Sequence, residues 1–294
     1  MQNSTQCLSD TQLGFLPTEE DISFYEEHGW FVTKKVIPDE LIDLAILGSD
    51  RFYNGERDAQ LPLDTGYANW KPEDENVIRN NEFVCFQNKE LGQLIFQPII
   101  AAIAARLSRS NQIRLFADSL FAKPPAENHT TNNAIGWHAD KAFWPTCSSN
   151  KILTAWIPLQ DCDESMGPLV VIDGSHKWEE SENVKFFYNQ NLDDIEDVFR
   201  QQDKEIVKVP MNLKKGYLSF HNCRLIHGSY SNKSKAFRLA VAIHFQDNEN
   251  FYQAKCNNKG EPIHIGYDLL CRKLANGNPD YSDENIFPVL WSSR

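Results

Sequence analysis

From Ile113 to Phe245 the chain reads as a succession of short β-like runs broken by turns, with room for one helix at 192–202. The candidate strands are 113–122, 134–139, 151–159, 168–173, 205–209, 216–220, 224–228 and 236–246. Strands of this length without regular βα alternation do not build a doubly wound parallel sheet. They point to an all-β sandwich or barrel with helices packed outside it. The helices come first in the chain. Thr18, with Asp21 three residues on, reads as a cap that opens a helix running to about His28, where Gly29 ends it. Trp30–Val36 reads as a strand. Pro38-Asp39-Glu40 opens a second helix that Gly48 is expected to stop. Residues 50–80 are rich in Asn, Asp, Gly and Pro and read as loop. Leu91–Phe96 reads as helical, and Pro98 suits the first turn of a further helix carrying Ile99, Ile100, Ile103 and Leu107. The first 15 residues are polar and are expected to be loose.

Composition narrows the function classes. The 294 residues carry a formal charge of −12, a poor match to nucleic acid or an anionic membrane. The 7 cysteines are scattered, odd in number and form no CxxC, which argues against a secreted disulfide scaffold or a zinc ribbon. The N-terminus has no basic segment followed by an apolar one, and Pro98–Ala105 is short for a membrane span. A protein of a reducing, cytoplasmic setting, monomer or homodimer and without nucleic-acid or membrane partners, is the expectation.

The chemistry concentrates at Gly136-Trp137-His138-Ala139-Asp140. On a strand, His138 and Asp140 point to one face and present an imidazole beside a carboxylate. With a second His, such as His227 in Leu225-Ile226-His227-Gly228-Ser229, they form the 2-His-1-carboxylate set that leaves positions open on Fe(II). Taken alone, His-x-Asp is a weak signal, and the bland reading is a core histidine bonded to its neighbour. Eleven residues beyond His227 lies Arg238, on a strand whose alternation is clear. Leu239, Val241, Ile243 and Phe245 make one face. Arg238, Ala240, Ala242 and His244 make the other, a face with room for a carboxylate to meet the guanidinium.

Together these residues resemble the phytanoyl-CoA dioxygenase (PhyH-like) family of Fe(II)- and 2-oxoglutarate-dependent oxygenases. The resemblance runs over about 17–246 and adds Lys123-Pro124-Pro125, the strand Trp156, Gly167-Pro168-Leu169, Gly174-Ser175-His176 and Ser229. It implies an all-β core with flanking helices, a double-stranded β-helix (jelly roll, cupin-like), in a single domain over 1–294. The helical third is 17–110, the jelly-roll core about 111–246 and the C-terminal extension 247–294. It further implies that His138, Asp140 and His227 hold Fe(II), and that Arg238 and Ser229 meet the far carboxylate of 2-oxoglutarate. Trp156 and Ser119 would lie beside that cosubstrate, with O2 as the second. Halogenases of this class replace the carboxylate ligand with a small residue, so Asp140 points to hydroxylation, desaturation or oxidative demethylation. An acyl-CoA 2-hydroxylase, a catalytically inactive jelly-roll binding protein and a zinc-dependent hydrolase are the competing readings.

Several residues carry looser expectations. Trp137, Phe143 and Trp144 either line a substrate site or pack at a barrel mouth. Gln87 is a weak pocket candidate, His176 is expected to hold its own turn, and His244 to be a core or rim residue. His221 reaches the site only if the Asn222-Cys223 turn brings it back. Residues 179–204 and 55–80 are candidate lids, and 286–291 is expected to dock on the body or on a second subunit.

Overall fold

Ser9 and Gln12 cap a single turn, α1 (Asp10–Leu13), so residues 9–13 are more ordered than their polarity suggests. Thr18 and Asp21 then exchange hydrogen bonds and open α2 (Glu19–His28), which Gly29 closes as read from the sequence. These come from a computed structural model that describes residues 8–63, 70–74, 77–126 and 133–293. Residues 1–7, and parts of the 50–80 loop and lid reading (64–69, 75 and 76), lie outside the described residues.

The following elements are β1 (Trp30–Val32), α3 (Asp39–Tyr53), β2 (Arg79–Glu82), α4 (Val84–Gln87), α5 (Lys89–Ile95) and α6 (Pro98–Leu107). After them come β3 (Gln112–Lys123), β4 (Ile135–His138), β5 (Leu153–Pro158) and β6 (Val170–Ile172). Then follow α7 (Leu192–Gln201), β7 (Lys208–Pro210), β8 (Ser219–Asn222), β9 (His227–Ser229), β10 (Arg238–Asp247), α8 (Gly266–Leu270) and β11 (Val289–Ser292). One antiparallel sheet has the order β1-β8-β5-β10-β3-β11, with β2 also along β3; the other is β4-β9-β6-β7. This is the all-β core with flanking helices, in jelly-roll form, that the resemblance implies.

Alternation divides the larger sheet into two faces. Leu153, Ala155, Ile157, Phe220, Val241, Ile243 and Phe245 turn outward and bury against Ile42, Leu91, Leu94, Ile99 and Ile103 of the helices. Their neighbours turn inward toward the smaller sheet. On β3 the faces exchange partway along. The pairing shifts between His244 and Phe245, where β3 holds one extra residue, Phe116. Before this bulge Ile113 and Leu115 face the helices; after it Leu120 does, and Ala117 and Ser119 turn inward. Phe116 packs with Trp144, Tyr267, Tyr281 and Phe287, so the bulge is where the C-terminal extension docks. The tail closes on the body of its own chain, through β11 against β3.

Several boundaries differ from the sequence reading. The strand at 30–36 ends at Val32, because Val36 and Ile37 donate to the Gly216 carbonyl in a turn. That turn also delays β8 to Ser219. β9 starts at His227 because Arg224 N–H bonds the Asn222 side chain in a tight turn. β2 is polar and has no strand signature; the free edge of β3 recruits it. Gly48 does not stop α3 but lies inside it, where Asn88 donates to its carbonyl while capping α5. Lys89–Leu107, over α5 and α6, has the length and apolarity of a membrane span, but 67% of that window is buried in this core.

Gly48→Ala separates propensity from packing. Propensity alone favours Ala inside a helix by about 1 kcal/mol. A Cβ at Gly48, however, sits 2.6 Å from Asn88 Oδ1 and 2.8 Å from Glu90 Cβ. The variant is expected to lose about 1–3 kcal/mol in chemical denaturation through this overpacking. A neutral or stabilised variant would contradict the packing account.

Candidate active site

The pairing of β4 with β9 sets His138 directly opposite His227, and their rings lie 4.2 Å apart between centroids. Each histidine is oriented from its own strand. His138 Nδ1 bonds the Gly136 carbonyl at 2.8 Å, and His227 Nδ1 bonds the Leu225 carbonyl at 2.9 Å. A carbonyl only accepts, so both Nδ1 atoms carry the proton and both Nε2 atoms present lone pairs. Asp140 stands just past β4, with Oδ1 3.5 Å from His227 Nε2. Among the described residues these three form the one cluster of potential metal ligands, their ligand atoms all within 4.8 Å of one another.

The carboxylate is fixed from the opposite sheet. Across β8, β5 and β10, the residues His221, Thr154 and His244 stand in one row on the inward face. Thr154 Oγ1 donates to Asp140 Oδ2 at 2.7 Å, and His221 Nε2 lies 3.3 Å from the same oxygen. Oδ1 is left for a ligand. Burial lowers the pKa of His138, and burial with the adjacent His138 and His221 holds His227 well below its ordinary value. Burial alone would raise the Asp140 carboxyl, but the imidazoles of His227, His221 and His244 outweigh it and hold it well below the carboxylate range. Neutral imidazoles and an ionised carboxylate are the states a metal requires. Two nitrogens and one hard oxygen are the donor set for Fe(II) with open positions.

The other end of the cavity is cationic. Arg238 pairs with Lys123 across β10 and β3, and both are buried. Lys123 Nζ donates to Ser229 Oγ at 2.5 Å and to the Tyr230 carbonyl at 2.7 Å. Ser229 thus accepts from Lys123, and its own proton is free to point elsewhere. Arg238 Nε has no partner, and the guanidinium makes no ion pair with a carboxylate among the described residues. Its Cζ stands 5.6 Å from the Trp156 ring centroid. Burial lowers Arg238 to about 10, and burial with Arg238 alongside pulls Lys123 well below its usual value. Two adjacent buried cations without a carboxylate partner among the described residues are costly unless an anion joins them. The site therefore fits a metal ion at one end and a carboxylate at the other.

Among the residues singled out from the sequence, His138, Asp140, His227, Arg238, Ser229, Trp156 and Ser119 all line this one cavity. Phe143, Trp144 and His244 line it too. Trp137 does not: it is fully buried on the other face of β4, against Ile172, Ile195 and Phe199. Gln87 donates to the Glu82 and Phe83 carbonyls instead, and His176 bonds the Glu26 carbonyl at the end of α2 rather than its own turn. A side chain at Gly228 would strike the Ile135 carbonyl at 2.7 Å, so this glycine makes room for β4.

The cavity also holds residues not foreseen: Thr154, Asn80, Glu82, Phe187, Tyr188 and Tyr267, with His221 now inside. Alternation could have found two of them. Leu153-Thr154-Ala155-Trp156 puts Thr154 on the Trp156 face, and Leu218-Ser219-Phe220-His221 turns His221 inward. Within 179–204, the stretch 184–187 runs along the free edge of β4, with Ala139 N–H on the Val184 carbonyl and Gly136 N–H on the Phe187 carbonyl. A Cβ at Gly136 would lie 2.0 Å from the Phe186 carbonyl oxygen, so only glycine lets this segment close in.

Comparison with known proteins agrees with this arrangement. The fold is that of the Fe(II)/2-oxoglutarate oxygenases. It matches the carbocyclase SnoK from nogalamycin biosynthesis with a TM-score of 0.68 and 20% identity, covering 93% of this chain and 96% of that one. EctD from S. alaskensis with 2-oxoglutarate and 5-hydroxyectoine matches with a TM-score of 0.63 and 17% identity, covering 89% of each chain. Residues 25–240 match the family model of phytanoyl-CoA dioxygenase (PhyH), and the chain belongs to that family. The peroxisomal phytanoyl-CoA dioxygenase of Bos taurus is 28% identical over 247 residues, 78% of this chain and 68% of the relative. The protein is thus an oxidoreductase, a dioxygenase of the class that uses iron, 2-oxoglutarate and O2.

Thr154→Val keeps the shape of the side chain and removes the hydrogen bond to Asp140. It is expected to weaken Fe(II) or Co(II) affinity by about 10–100-fold in a chelator competition, with the fold intact by circular dichroism. Unchanged affinity would show that Thr154 does not set the carboxylate.

Proposed function

We propose that this dioxygenase oxidises a small-molecule metabolite in specialised metabolism, by hydroxylation, desaturation or oxidative demethylation, with succinate and CO2 as co-products. The observation that carries this reading is the buried Arg238 guanidinium, without a carboxylate partner, at the far end of a cavity from a His-Asp-His cluster. A metal-ligand cluster and an unpaired guanidinium in one cavity suit a short dicarboxylate bridging a metal and a cation.

In this reading His138 and His227 through Nε2, and Asp140 through Oδ1, hold Fe(II). Arg238 and the Ser229 hydroxyl bind the far carboxylate of 2-oxoglutarate, with Lys123 turning the serine proton toward it. Trp156 and Ser119 would lie beside the cosubstrate. When bound, the metal with 2-oxoglutarate and O2 supplies the oxidation itself. The chain supplies orientation and dryness: Phe143, Trp144 and Phe187 line the cavity and keep water from it. Residues 1–294 act as one domain, since the C-terminal extension contributes Tyr267 to the cavity wall. The free, mostly buried cysteines support a reducing, cytoplasmic setting. The second reading, an acyl-CoA 2-hydroxylase, is favoured by the name of the Bos taurus relative.

Release of CO2 from 2-oxoglutarate tests the reading. Arg238→Ala is expected to raise the KM for 2-oxoglutarate by about 100-fold or more, with a smaller loss in kcat, because the cosubstrate carboxylate loses a charged partner worth about 3 kcal/mol. An unchanged KM would place the anchor elsewhere. Turnover stimulated by straight or branched acyl-CoAs, and not by polar metabolites, would favour the second reading.

A further inference from the structure

The hydrogen bonds of Thr154 fix one more group in the cavity. The Thr154 hydroxyl has a single proton, and it donates that proton to Asp140 Oδ2 at 2.7 Å. His244 Nδ1 lies 2.8 Å from the same hydroxyl oxygen. With its proton spent on an acceptor-only carboxylate, Thr154 can only accept from His244. Nδ1 is therefore the protonated nitrogen, and in the neutral ring Nε2 is a bare acceptor. The Trp144 ring stands edge-on to the imidazole at 4.9 Å and hinders its rotation. His244 lines the cavity.

The same wall carries a second polar feature. Tyr267 OH donates to Glu82 Oε1 at 2.6 Å, and both residues line the cavity. Tyr267 belongs to α8, beyond residue 240 where the family match ends. The aromatic rings of Phe143 and Phe187 line the cavity as well. This space has room for a carbon skeleton against the rings and for polar hydrogens against the wall. A bare hydrocarbon would strip water from His244 Nε2 and return nothing, a loss the buried site would feel in full.

We propose that His244 is a specificity-determining residue whose Nε2 accepts a hydrogen bond from an O–H or N–H of the substrate, so that the molecule oxidised bears a hydroxyl or amine close to the reacting carbon. This rests on the oxygenase reading above and names the substrate class for that same site.

The test uses the full chain loaded with Zn(II) and 2-oxoglutarate, and saturation-transfer NMR. The probes are a panel of cyclic alcohols and primary amines, each beside its O-methyl or N,N-dimethyl counterpart. The donor-bearing members are expected to bind ~10-fold more tightly than their methylated partners. In His244→Phe the advantage is expected to fall below about 2-fold, and in His244→Gln, whose amide oxygen can accept, to persist in part. Long-range proton–nitrogen spectra of the unaltered protein check the same point without a variant, since they should show His244 protonated at Nδ1 and bare at Nε2. The proposal is overturned if the methylated partners bind as well, if no donor probe binds, if the advantage survives in His244→Phe, or if Nε2 carries the proton. The saturation signal of 2-oxoglutarate itself separates the two levels. If 2-oxoglutarate binds and the donor preference is missing, this proposal alone fails; if 2-oxoglutarate does not bind, the oxygenase reading fails with it.

Discussion

The antiparallel pairing of β10 with β3 on one side and β5 on the other governs where each polar group in the cavity lies. Ten consecutive residues of β10 are paired, and their alternation is unbroken. Four apolar side chains are thereby committed to the helices, and Arg238, Ala242 and His244 to the cavity. The pairing then places Lys123 beside Arg238, Ser119 and Trp156 beside Ala242, and Thr154 beside His244. Ala242 leaves the cavity face open, while Ala240 packs into the core with Val171, Met211 and Leu225. A slip of one residue would exchange the faces and bury a guanidinium among isoleucines.

Energetically, the cavity is an unfinished network. Its cationic end holds more positive charge than the protein neutralises, and its carboxylate end gathers imidazoles around one Asp. Buried polar groups of this kind cost stability unless partnered. The helix-packed face of the same sheet, built of Ile, Leu, Val and Phe, supplies the stability that offsets the cost. The division of labour lies between two faces of one sheet, one packed for folding and one prepared for ligands.

Much of this was legible in the chain itself. Thr18 and Asp21 announced α2, and Pro98 announced α6, because caps and prolines act locally. The face of β10 could be read because its ten residues alternate with no bulge of their own. The His-Asp-His cluster could be read because its spacing, with Arg238 behind it, is specific in combination. The misreadings share a cause in tertiary contact. Gly48 looks like a helix stop until Asn88 and Glu90 are seen packed against it. β2 has no strand residues, and only the edge of β3 makes it one. The Phe116 bulge reverses the face of β3, so alternation across 113–122 cannot predict both ends. Tyr267 and Glu82 meet across more than half the chain, with no pattern at either end to reveal it.

In the proposed reading, His138, Asp140 and His227 hold iron within reach of a 2-oxoglutarate anchored at Arg238. The most direct measurement is anaerobic addition of Fe(II), then 2-oxoglutarate, to metal-free protein, watching for the visible charge-transfer band of the chelate. The account predicts a band in the unaltered protein and its loss in Asp140→Ala with the fold retained. A folded protein that gives no band, or a band undiminished in the variant, would contradict it.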